Sequence, residues 1–255
     1  MCLIFISLQN HPHYKLIVAA NRDEFYRRKA APAHFWNDFP HILAGRDLEA
    51  GGTWMGITRH GKIAMVTNYR DLRNLKPVAP SRGILVSDFL ANGEKPIPYV
   101  RRIIEKAPDY NGFNLIAGTA DELIYYSNMR TDAEPLNPGI YGLSNHLLNT
   151  PWPKVEKGKE IFQQIIASKF THQDLIQFLY NDEQAPDELL PDTGVGLERE
   201  RILSAMFIKS PDYGSRCSTV ITIDYNNRVK FTERVFDVPS PAFRDYHFEF
   251  SIRPA

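Results

Sequence analysis

Cysteine is scarce in this chain, and an excess of charge is absent. The two Cys among 255 residues stand far apart, at positions 2 and 217, so no disulfide framework exists and a reducing compartment is expected. No CxxC or HExxH spacing occurs, and no metal site is expected. Thirty Lys and Arg balance thirty Asp and Glu, with the signs interspersed, which leaves no basic face for a phosphate backbone and argues against nucleic acid as a partner. No apolar run reaches the roughly 20 residues that a membrane helix needs. The opening MCLIFISLQNHPHYK is apolar but short, lacks a basic leading region and meets His and Pro after Leu8, unlike a signal peptide. Fixed-period repeats, low-complexity tracts and linkers are missing too, and the Pro/Asp/Glu-rich stretch 182–193 reads as one surface loop. What remains is a globular composition, 43% hydrophobic, expected to form a single domain over residues 1–255, cytoplasmic and without stable membrane insertion.

Apolar segments come in pairs around polar turns: residues 2–8 with 15–20, 53–58 with 63–68, 114–118 with 123–127, and 217–224 with 229–236. Each pair brackets Gly, Pro, Asn or Asp, the signature of a β-hairpin. LIFIS, LIVAA and IAMV are apolar throughout instead of alternating, as strands covered on both faces are. Helical signals lie between them: Ser81 capping ILVSDFL, Pro98 opening YVRRIIEKA, apolar residues at helical spacing from Val155 to Ile166, Thr171 with Asp174 three residues on, and residues 197–207. Antiparallel hairpins interleaved with helices predict an α+β sandwich, with stacked sheets inside and helices outside.

A turn centred between His11 and Pro12 pairs Cys2 with Asn21, and a slip of one or two residues leaves it beside Arg22 and Asp23. Likewise, a turn at His60-Gly61 sets Asn68 opposite Thr53. Cysteine at position two has a special meaning, because removal of the initiator Met before a small residue places the α-amine on the nucleophile's own residue. That amine, with a pKa of about 7.7 to 8.0, is a serviceable base for a thiol of about 8.5. Arg22 favours the thiolate, Asp23 orients the amine, and side-chain amides such as Asn68 or Asn145 supply oxyanion donors. A plainer reading stands beside this one: Cys2 as a small core residue of an apolar strand, and residues 21–24 as a strand-end turn with a solvated ion pair. Trp54, after Gly51-Gly52, either lines a pocket for an apolar substrate or packs in the core. The turn residues His11, His13 and His60 have no carboxylate or Cys at ligand spacing.

MCLIFI, LIVAANRDEF, GGTWMGITRHGKIAMVTNYR, YNGFNLIAG, YGLSNHLLNTPWPKVEKGK and YGSRCSTVITID followed by FTER, in this order, resemble the NRDE family, also called the transport and Golgi organisation protein 2 family. The family is similar in turn to N-terminal-nucleophile (Ntn) hydrolases, which implies a four-layer αββα sandwich of antiparallel sheets. Comparison by motif position with bile-salt hydrolases and penicillin acylases implies Cys2 as nucleophile, Arg22 and Asp23 as the early charged pair, Asn68 and Asn145 as the two amides and Arg216 as the late Arg. It leaves Asn21, Glu24, Thr53 and Trp54 to bind substrate. The spacing departs from that group, whose early Arg and Asp are three apart, so roles within 21–24 can be redistributed. Two functions follow as expectations. One is a cysteine amidohydrolase cleaving a non-peptide amide or related acyl bond of a small, partly apolar substrate, with no cofactor required. The other is a non-catalytic carrier of haem or acyl-CoA that reuses the pocket, as the family's link to haem trafficking and lipid homeostasis implies.

Overall fold

The computed structural model describes residues 2–237, 240 and 242–253. The chain begins with β1 (Cys2–Leu8), β2 (Tyr14–Phe25), β3 (Ala30–Phe35), β4 (Ile42–Asp47), β5 (Met55–Thr58) and β6 (Ile63–Asn68). Helices α1 (Gly83–Ala91) and α2 (Pro96–Lys106) follow, then β7 (Phe113–Gly118), β8 (Leu123–Ser127), β9 (Glu134–Pro135) and β10 (Gly139–Leu143). Three helices, α3 (Pro153–Ile166), α4 (His172–Leu179) and α5 (Leu197–Ser204), precede β11 (Tyr213–Asp224), β12 (Arg228–Phe236) and β13 (Phe243–Ser251).

Among the described residues the strands form two antiparallel sheets, ordered β10-β1-β2-β11-β12-β13 and β3-β4-β5-β6-β7-β8-β9. Strand alternation sorts the apolar residues into three layers. Ile4, Ile6, Leu16, Val18 and Ile221 face Leu43, Ile57, Met65 and Ile116 between the sheets. On the outer side of the first sheet, Leu3, Phe5, Ile17 and Ala19 pack on Phe162, Leu175 and Leu179 of α3 and α4. On the outer side of the second, Ala44, Ala64 and Leu115 pack on Leu85, Phe89, Tyr99 and Val100 of α1 and α2. This is the expected αββα sandwich, with β1 and β2 inside their sheet and apolar on both faces. No helix among the described residues is long and apolar enough to cross a membrane.

All four hairpins form, two of them one residue out of the expected register. A five-residue connection, entered through Gln9 at φ 45°, pairs Leu8 with Leu16 and therefore Cys2 with Arg22, not Asn21. In the second hairpin Met55 faces Met65, again one step from the expectation. The Thr171–Asp174 capping box opens α4 as expected. Ser81 does not cap α1: Arg82 holds the N-cap position and no side chain caps it. Helix α2 starts at Pro96 instead of Pro98, and α5 stops at Ser204, short of Phe207.

Candidate active site

The two sheets open at one end into a cavity of about 430 Å³, with Cys2 on its wall. Cys2 reaches it because residues 2, 4, 6 and 8 of β1 face the layer between the sheets, and its backbone lies opposite Arg22. Burial and the Asp23 charge push the Cys2 thiol up, while the Arg22 charge and the Asp23 backbone N–H pull it down. Met1, whose removal would free the Cys2 amine, lies outside the described residues.

Alternation along β2 divides the cluster at 21–24. Arg22 and Glu24 border the cavity, and the Arg22 guanidinium carbon stacks 4.3 Å from the Trp54 ring centroid. Trp54 lies against Gly45, where any Cβ would collide with the indole. Asn21 faces the other way: its Nδ2 donates to Leu179 O at 3.0 Å and Met206 O at 2.8 Å, and its Oδ1 accepts from Ser218 Oγ at 2.6 Å. Those bonds tie α4 and the approach to β11 onto the sheet and leave the Asn21 side chain with a structural role, against the expectation that it binds substrate. Asp23 borders the cavity and accepts from Ser215 Oγ at 2.6 Å on β11. Burial raises the Asp23 carboxyl; the buried Lys154 charge opposes this. The Lys154 amine, which donates to Leu203 O at 2.7 Å, is itself driven down to about 8 by burial, with Arg70 adding to the effect.

The other expected residues separate. Thr53 and Trp54 line the cavity, although the Thr53 hydroxyl is committed to Met55 O at 3.0 Å. Asn68 also lines it, and its side-chain amide makes no hydrogen bond among the described residues. Asn145 stands behind: fully buried, it donates through Nδ2 to Asn68 O at 3.0 Å, so it fixes the Asn68 backbone and does not face the cavity. Arg216 does not join the group either. The register of β11 against β2 slips between Ser215 and Cys217, and the extruded Arg216 donates through Nη1 to Phe25 O, Tyr26 O and Arg28 O at 3.0 to 3.1 Å.

Three charged residues at the cavity had no role in the sequence reading: Arg28, Asp47 and Arg82. Arg28 grips Asp47 Oδ2 through Nη2 at 2.6 Å and Nε at 2.9 Å. Arg82 sits just before α1, on the segment 79–83 that forms the far wall. That wall is held close by glycine: a Cβ on Gly52 would lie 2.5 Å from the Gly83 carbonyl carbon, and Thr53 N–H donates to Gly83 O at 3.2 Å. Among the described residues no three His, Cys, Asp or Glu gather as a metal site.

The family model described as "Transport and Golgi organisation 2" matches residues 1–238. Similar proteins include the mouse Transport and Golgi organization 2 homolog (Mus musculus), 38% identical over 99% of this chain and 100% of its own. The bovine homolog (Bos taurus) is 42% identical over 92% of each chain. Among solved structures, a Caenorhabditis elegans N-acylethanolamine-hydrolyzing acid amidase ortholog overlaps 86% of this chain and 92% of its own at 11% identity and a TM-score of 0.49.

Proposed function

The chain belongs to the Transport and Golgi organisation 2 family, and on that footing we propose that it hydrolyses a non-peptide amide or related acyl bond of a small, partly apolar compound, with Cys2 as N-terminal nucleophile. The observation that carries this reading is the Cys2 thiol beside Arg22 on a cavity whose Asn68 amide is left without a protein partner among the described residues. Once Met1 is removed, the α-amine takes the thiol proton and the thiolate attacks the carbonyl carbon. The Asn68 amide donates to the oxyanion, held in place by Asn145 behind it. Collapse breaks the carbon–nitrogen bond, and the ammonium returns its proton to the leaving amine. Water then cleaves the thioester, with the same amine as base. Trp54, Val66 and Pro80 give the cavity its apolar surface.

The test is intact-mass analysis of the natively processed protein combined with a thiol-directed acyl probe. Loss of Met1 and an adduct on Cys2, absent in Cys2→Ala, are expected; Asn68→Ala slows acylation by about a hundredfold with ligand binding largely kept. One observation favours the second reading, a carrier of haem or acyl-CoA: burial raises the Cys2 thiol, a handicap only for a nucleophile. A carrier binds equally well as Cys2→Ala and forms no adduct, and that pair of results overturns the hydrolase.

A further inference from the structure

Arg82 is half-buried at the cavity, and its one hydrogen bond among the described residues runs from Nη1 to Gly112 O at 3.0 Å. Most of its N–H donors are therefore left without a protein acceptor among the described residues, and no described carboxylate stands within ion-pair distance of it. Arginine keeps its proton under any ordinary condition, so this charge persists although burial works against it. The cavity's carboxylates are otherwise engaged. Asp47 holds Arg28, and Asp23 accepts from Ser215. Glu24 accepts from the Phe25 N–H through Oε1 and keeps Oε2 at 3.9 Å from both Arg22 and Arg28, beyond hydrogen-bond reach. The guanidinium of Arg22, a residue only 5% exposed, makes no hydrogen bond among the described residues. A buried guanidinium without a bidentate partner is poorly satisfied, and a planar oxyanion is the partner its geometry fits. Arg82 is fixed for that task, because the Gly52–Gly83 contact and the Thr53–Gly83 hydrogen bond pin the wall from which it projects.

We infer that Arg82, supported by Arg22, seats a compact oxyanion on the compound whose carbonyl meets Cys2, so that the substrate is acidic, an amide or acyl compound carrying a carboxylate or phosphate. The inference rests on the hydrolase reading for the word substrate; the seat itself does not depend on turnover. The Cys2 charge is among those that bear on Arg82, which sets thiol and seat within electrostatic reach of one another. Glu24 opposes the anion and limits the gain, while disfavouring ligands with two separated negative charges.

Alkylation of Cys2 by iodoacetate and by iodoacetamide tests the seat without requiring any substrate. Both reagents consume the thiolate and expel iodide, so the thiol pKa cancels from the ratio of their rates and only the reagent's charge differs. With the adduct assigned to Cys2 by peptide mass, the iodoacetate-to-iodoacetamide ratio in the folded protein is expected to exceed that of the unfolded chain by about tenfold. Arg82→Gln brings the ratio back toward the unfolded value, and Arg82→Lys keeps most of the gain. A ratio equal to that of the unfolded chain, or one that survives Arg82→Gln, overturns the seat. Should Cys2 resist both reagents, calorimetric titration of the Cys2→Ala protein with butyrate and butyramide makes the same comparison, and equal affinity overturns it. Protection of Cys2 by inorganic phosphate or by butyrate tells which oxyanion is preferred; protection by neither refutes the proposal. A protein with the charge preference and no acyl adduct keeps the seat and loses the hydrolase, whereas equal turnover of acidic and neutral amides does the reverse.

Discussion

Replacing Glu233 with Gln strengthens the fold above neutral pH and leaves it almost unchanged at pH 5. Glu233 is 1% exposed on β12, where it accepts from the Ala33 N–H at 2.6 Å and from the Thr219 hydroxyl at 3.4 Å. Burial drives its carboxyl from 4.5 up to about 7, against the pull of the Ala33 N–H, the Cys217 thiol, Thr219 and the Arg22 charge. Across that window the folded chain holds a proton that the unfolded chain has released, so the free energy of unfolding falls as pH rises. At about 1.4 kcal/mol per pH unit, the window from 4.5 to about 7 amounts to about 3 kcal/mol. Gln offers the same acceptor to Ala33 and has no charge to desolvate. Urea denaturation of both proteins at pH 5 and pH 8 isolates the effect, because every other titration is common to the pair. The variant is expected to gain about 3 kcal/mol on the parent between the two pH values, or roughly 6–12 °C in Tm at pH 8. Parallel behaviour of the two proteins, or a variant weaker than the parent at pH 8, would falsify the assignment of a buried, proton-holding Glu233.

Three further outcomes can be measured on the same protein. His172, whose ring meets the hydroxyls of Thr232 and Thr222 at 2.9 and 3.0 Å, is pushed by burial to about 4, so the stability it contributes is lost as pH falls from about 6.5 through 4; His172→Gln flattens that acid limb in urea titrations. Glu200→Ala strands the buried Arg70, now held at 2.8 Å, together with the Thr193 N–H, at a cost of about 3–5 kcal/mol in calorimetry, whereas a change below about 1 kcal/mol means the pair is not dry. Gly52→Ala forces the wall bearing Arg82 outward and costs about 1–3 kcal/mol; it also changes the rate of Cys2 alkylation, and an unchanged rate argues that this contact does not shape the cavity.

The hairpins were legible because their turns carry Gly, Pro, Asn or Asp and their strands are apolar on both faces, so pattern and turn chemistry agreed. Strand β3 was hidden by the Pro in its AAPAHF sequence and its half-buried pattern, and the polar residues 21–24 masked the extension of β2 beyond Ala20. The register could not be read, since the φ of Gln9 sets the connection and nothing local demands a positive value there. That single step decides which members of the 21–24 cluster face Cys2, and it turns the Asn21 side chain toward α4. Hairpin arithmetic brought Cys2 beside Arg22 and Asn68 beside Thr53 and Trp54 because β1 begins at Cys2 and β6 ends at Asn68, each paired with its hairpin partner. Arg28 and Arg82 were not recoverable in this way, because each reaches the cavity from a loop whose path only the packed structure defines. Asn145 and Arg216, found by motif position, have motif-bearing neighbours but spend their own donors on backbone carbonyls.

The slip in β11 at Arg216 bears on which parts of the cavity rim can open. One guanidinium nitrogen gathers the carbonyls of residues 25, 26 and 28 onto a strand in the interior of the first sheet. Backbone amides in that stretch are thereby coupled to the opening of β2 from β11, and their hydrogen exchange follows the slow sheet instead of a surface loop. This side of the rim is a wall rather than a door.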